Sequence, residues 1–178
     1  MYAAVEKAVR GLARLLALLG GLVLVAVTVL TVISITGRGL VWAGLSPVPG
    51  DYELVEMGSA FAVFAFLPWC QMERGHVTVD LFLAGAGDAV NRVVDLISDL
   101  LLTSAAGLIC WRLFAGLQDK AAYNETTFIL QIPLWLGYSA AMIGATVFVI
   151  VSAFSIWRSA HGLAQALSAG PARAGEGK

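Results

Sequence analysis

The chain has 178 residues, of which 59% are hydrophobic and 13% charged, with a mean hydropathy of +0.83 and a formal charge of −1. Soluble domains carry roughly 45–50% apolar and about 25% charged residues, and a globule of this size has too little interior to hide such an excess. A soluble enzyme, a nucleic-acid binder and a disordered chain are all poor readings: the surplus must face lipid, and the charge balance offers no basic surface for phosphates.

Leu15 to Gly37 carries no charge and, at about 1.5 Å per helical residue, exceeds a ~30 Å hydrocarbon core. Lys7, Arg10 and Arg14 precede it as in a signal peptide. The apolar region is too long for one and lacks a small-x-small cleavage site, so it reads as an uncleaved first span. The loop Arg38–Gly50 holds Pro47 and Pro49 and is expected to be irregular. Gly50-Asp51 offers a turn and an N-cap for the second helix. Glu53 and Glu56 stand in its first turns, where acidic side chains reach headgroup water. The uncharged run Met57 to Met72 completes that span, and Pro68 is expected to kink or end its last turn.

The following loop, Glu73 to Val90, ends in Gly85-Ala86-Gly87. The third segment runs from Val90 to Leu117, with Arg92, Asp95 and Asp99 at i, i+3 and i+7 on one helical face. Intramembrane carboxylates often mark ion or proton sites. The place of these three in the first turns favours instead a pairing of Arg92 with the aspartates that fixes the helix against a neighbour; Asp99 lies deepest. Thr126 to Trp157 is again free of charge. Pro133 is a natural first helical residue, and the run from there to Trp157 is long enough for a tilted span. The expected architecture is all-α integral membrane, one four-helix domain over residues 1–160 with spans about 12–37, 52–72, 92–117 and 133–157. The remainder, 161–178, reads as a flexible tail rich in Ala, Gly and Ser.

With the N-terminus placed inside, Lys7, Arg10, Arg14, Arg74, Arg92, Arg158, Arg173 and Lys178 fall on that side, eight of the eleven basic residues. That bias makes both termini cytoplasmic. Trp42, Tyr52, Tyr123 and Trp135 then sit near the outer interface, and Trp69 and Trp157 near the inner one, as an aromatic belt would. Cys70 and Cys110 fall near opposite membrane surfaces, beyond the ~7 Å reach of a disulfide. His76 and His161 lie outside the spans, where haem is not ligated. Neither a metal-ligand constellation nor a phosphate-cradling glycine loop is visible. A thiol–disulfide enzyme, a membrane cytochrome and a metal site are therefore not expected.

The segment Arg74-Gly75-His76-Val77-Thr78-Val79-Asp80 resembles the "GH-hydrophobic-x-VD" signature of the small membrane subunit (DctQ-type) of tripartite ATP-independent periplasmic (TRAP) transporters. Tyr52-Glu53-Leu54, Phe66-Leu67-Pro68, Glu125-Thr126-Thr127, Ile132-Pro133-Leu134-Trp135 and Tyr138 keep the family's order, so the resemblance runs from about Leu12 to Trp157. It implies a subunit of the bacterial inner membrane, without catalysis or a cofactor of its own, that braces a large, elevator-type TRAP membrane subunit. A periplasmic substrate-binding protein would deliver an organic acid to that complex. The sodium gradient would be used by the complex, with sodium and substrate sites on the large subunit. Under that resemblance Arg74, His76, Asp80, Arg92, Asp95 and Asp99 are candidate contacts with the large subunit. Glu53, Glu56, Asp119 and Glu125 are candidate periplasmic-side contacts, and Trp69, Arg74 and Arg92 candidate contacts with phospholipid headgroups. Gly20-Gly21, Gly58-Ser59-Ala60 and Ala140-Ala141 are the small residues expected at helix contacts. The alternative is a self-sufficient homo-oligomeric transporter that uses Asp99.

Overall fold

Hydrocarbon thickness and chain geometry set the first proportions. The computed structural model describes residues 2–73 and 88–168. Its four long helices are α1 (Tyr2–Gly39), α2 (Asp51–Met72), α3 (Asp88–Ala122) and α4 (Leu134–Ser168), and each is long and apolar enough to cross a membrane. With 22 residues, α2 is about 33 Å long and matches a ~30 Å core. The other three have 38, 35 and 35 residues and project beyond it.

The helix ends depart from expectation where good helix formers continue past the apolar run. α1 begins at Tyr2, because Ala3, Ala4, Glu6, Lys7 and Ala8 all favour helix. For the same reason α4 continues through Leu163-Ala164-Gln165-Ala166-Leu167 to Ser168, inside the stretch expected to be a flexible tail. Pro68 does not end α2, which runs four residues further to Met72. The Arg38–Gly50 connection contains one short 3₁₀ turn, Val41–Ala43, closed by Gly44 at φ 87°.

The helices form a spread layer. α1 packs on α2, α2 on α4, and α4 on α3, so α2 and α4 occupy the middle and α1 and α3 the flanks. Half of the most apolar window of α4 is buried, against 11% for α1 and 6% for α3. In lipid, helices associate through close backbone approach at small residues, and glycines make each seam here. A Cβ on Gly20 would stand 2.8 Å from the Cβ of Ala65, and one on Gly58 2.5 Å from Val27 Cγ2, so both glycines fit α1 to α2. Gly116 receives the Tyr138 ring between α3 and α4.

Between α2 and α4 the reason lies in Pro68. A proline has no N–H, so the carbonyl four residues earlier, that of Phe64, loses its helical donor. Gly144 of α4 packs on that carbonyl: a Cβ there would lie 2.6 Å from the oxygen. The core joins Ala13 and Leu16 of α1, Ala65 and Met72 of α2, and Val147, Val151 and Phe154 of α4, with Val9, Phe61 and Trp69 against its edge.

The start of α1, the ends of α2 and α4 and the start of α3 share one face of the layer, here the N-terminal face. The α1–α2 and α3–α4 connections share the opposite one, the loop face.

Candidate functional site

Polar side chains in lipid need partners, and the hydroxyls of this chain have a default. Thr28, Thr31, Thr36, Thr103, Ser104 and Thr146 each donate to the carbonyl four residues earlier, at 2.7–2.8 Å. Ser34 and Ser159 break this habit and tie helices together.

On the N-terminal face, Ser159 Oγ of α4 donates to Asp99 Oδ2 of α3 at 2.5 Å, and Gln71 Nε2 of α2 donates to Asp99 Oδ1 at 3.2 Å. Asp99 is 7% exposed. One carboxylate therefore joins three helices at the level where α2 ends. Nearby, Arg10 of α1 meets Glu73 just past α2 at 2.9 Å, with Glu6 on its other side at 3.9 Å.

A further polar row runs along α4. The hydroxyls of Ser152 and Ser155 and the Nε and Nη2 atoms of Arg158 are buried without a hydrogen-bond partner. Their spacing of i, i+3 and i+6 puts them near one face of the helix.

On the loop face, Ser34 Oγ of α1 donates to Asp51 Oδ2 at 2.6 Å, and Arg38 Nη2 lies 3.5 Å from the same oxygen. Asp51 Oδ1 accepts the Tyr52 N–H at 2.9 Å. Asp51 is the first residue of α2; its expected N-cap place is taken by Gly50, at φ 74°. Glu53 turns toward the α3–α4 connection, where its two oxygens accept the N–H groups of Ile129 (2.6 Å) and Leu130 (2.9 Å). Glu125 pairs with Lys120 at 2.6 Å.

Of the residues expected on the periplasmic side, Glu53 and Glu125 are thus engaged within the chain, while Glu56 and Asp119 are exposed. Glu56 also borders a recess of about 250 Å³ between α2, α3 and α4, lined among others by Phe64, Leu113 and Tyr138. Trp69 lies against the core. Arg92 and Asp95 lie on α3, but their side chains are outside the described residues, as are Arg74, His76 and Asp80 altogether. Cys70 and Cys110 are free thiols. The described residues contain no group of three His, Cys, Asp or Glu able to hold a metal.

Sequence reasoning singled out Asp99 but not Gln71, Ser159 or Ser34. One signal was available: Ser152, Ser155 and Ser159 fall at i, i+3 and i+7 in an otherwise apolar span, the spacing of a polar stripe.

Four membrane-crossing helices in a layer, tied at both faces by buried or interfacial carboxylates, define a multi-pass helical membrane protein. Residues 27–162 match the family of tripartite ATP-independent periplasmic transporters, DctQ component. That match covers most of the chain: the protein belongs to the DctQ family and is the small membrane component of a TRAP transporter. Neither the curated proteins nor the solved structures contain a match to it.

Proposed function

We propose that this chain is a static brace for the large TRAP membrane subunit during sodium-coupled uptake of an organic acid. The single observation that carries this reading is the spread of the layer. Among the described residues, α2 and α4 are flanked on both sides by other helices, while α1, which touches α4 only slightly, and α3 present long apolar flanks. Leu18, Leu22 and Val25 on α1, and Leu101, Leu108 and Trp111 on α3, are all exposed. A wide apolar side is what a subunit needs to extend the footprint of a larger membrane partner.

The sodium and substrate sites belong, in this reading, to the large subunit. The N-terminal face is cytoplasmic, supported by Lys7, Arg10, Arg14 and Arg158 on that side. Arg74, His76, Asp80, Arg92 and Asp95 are the proposed contacts with the large subunit, and Trp69, Arg74 and Arg92 those with phospholipid headgroups; Asp99, expected among the former, has both oxygens taken inside the chain and is less suited to that contact. The loop face is periplasmic. Glu56 and Asp119, exposed there, are better placed for the substrate-binding protein than Glu53 and Glu125, which are occupied inside the chain. The membrane is the bacterial inner membrane.

Co-purification tests the assignment. The tagged chain is expressed with its genomic neighbours and extracted in mild detergent, and a stoichiometric, much larger multi-helix membrane protein is expected beside it. Recovery as a stable homo-oligomer with no such partner would overturn the bracing role.

A further inference from the structure

The connection between α3 and α4 satisfies most of its polar groups internally and turns its apolar ones outward. The Thr127 N–H donates to the Ile132 carbonyl at 2.9 Å, and the Ile132 N–H returns to Thr127 Oγ1 at 3.0 Å. Gln131 Nε2 donates to the Phe128 carbonyl at 3.0 Å, and the Leu134 N–H to the Glu125 carbonyl at 2.9 Å. At the tip, where a loop in water would leave its amides to solvent, Glu53 reaches across from α2 and accepts both the Ile129 and Leu130 N–H groups. Gln131 takes a left-handed backbone, φ 54°, to close the turn. At the tip the outward side chains are apolar, Phe128 at 96% exposed and Ile129 at 61%, with the polar Asn124, Thr126 and Gln131 exposed on either side of them.

The depth of this tip is set by α2. Glu53 lies in the first turn of that helix, and the Leu130 side chain presses on Gly50, where a Cβ would stand 2.5 Å from Leu130 Cγ. Because α2 is about 33 Å long and spans a ~30 Å core with almost nothing to spare, its first turn lies at the hydrocarbon edge. The tip clasped to it lies at that edge too. Tyr52 and Trp135, both exposed, stand at the same level, where amphipathic rings collect.

We infer that Phe128 and Ile129 form a bilayer anchor, entering the headgroup–acyl boundary of the leaflet on the loop face, and that Glu53 is the group that makes this entry possible. Lipid penalises an unpaired backbone N–H far more than water does, and the two tip amides are the ones Glu53 covers. The occupant of the exposed tip is a phospholipid surface. The inference needs only that the helices cross a membrane and stands apart from the bracing role.

The test places a nitroxide at the tip. Phe128→Cys is made in a Cys70→Ala, Cys110→Ala background, spin-labelled and reconstituted in phosphatidylcholine nanodiscs. Relaxation of the label by oxygen, which concentrates in lipid, is compared with relaxation by a water-soluble nickel chelate. Oxygen is expected to dominate at Phe128→Cys, and adding Glu53→Gln is expected to shift the balance toward the chelate as the tip is released. Ile129→Cys carries the same measurement if the first variant fails to fold. A label relaxed mainly by the chelate would put the tip in water, and a label shielded from both would put it against protein; either result overturns the anchor.

Discussion

Asp99 illustrates how far a single residue's role depends on what surrounds it. Its two oxygens accept from Ser159 and Gln71, so it works as a joint between helices and has neutral donors on both sides. Asp99→Asn keeps the shape of the side chain and an acceptor for Ser159. Near-wild-type thermal stability and unimpaired uptake by the assembled transporter are expected. Asp99→Leu removes the acceptor through which Ser159 and Gln71 tie α4 and α2 to α3 and should cost about 1–3 kcal/mol, read as a lower melting temperature. Loss of uptake in Asp99→Asn, with stability intact, would point instead to a titrating role. That Asp99 mattered was legible from its depth among the charged positions. Its partners were not, because Ser159 lies 60 residues away and Gln71 28, and no local pattern links them.

α2 shows the same division for a whole element. Its length was readable from the charge-free run and the turn at Gly50-Asp51, and so was the presence of a proline near its end. What the proline does was not: α2 passes through Pro68, and the Phe64 carbonyl thereby freed becomes the surface on which Gly144 rests. Gly144→Ala puts a methyl group against backbone that cannot move aside as a flexible side chain would. A destabilisation of about 1–3 kcal/mol is expected for such overpacking, seen as a lower melting temperature in detergent. Gly21→Ala is the matched control, since nothing stands within 4 Å of the added methyl and alanine is the better helix former. It should be neutral or slightly stabilising. Equal effects at the two positions would contradict the close α2–α4 seam. Of the small-residue pairs expected at helix contacts, Gly20 and Gly58 do lie in a seam, whereas Gly21 faces open space.

For the molecule as a whole, the spread of four helices leaves the apolar flanks of α1 and α3 to be covered by lipid or a partner. If the chain braces the large subunit, a photo-crosslinker at Leu22 or at Leu101 should capture that subunit in membranes from at least one flank. The product is identified by mass spectrometry. Crosslinks confined to loop positions, with both flanks yielding lipid alone, would rule out lateral bracing.

The amino-acid order alone determined that this is a membrane protein with four spans, because hydropathy and span length are sums over neighbouring residues. It also carried the family's motifs, which are local strings. Tertiary structure decided the rest: the order α1–α2–α4–α3 across the layer, the capture of Ile129 and Leu130 by a glutamate 76 and 77 residues earlier, and the exposure of Phe128 that results. The physical reason is that an apolar residue on a spanning helix is equally content against lipid or against another helix. Hydropathy therefore places the helices in the membrane, and only the fit of glycines, carbonyls and hydrogen-bonding groups brought together from distant segments sets which helices meet.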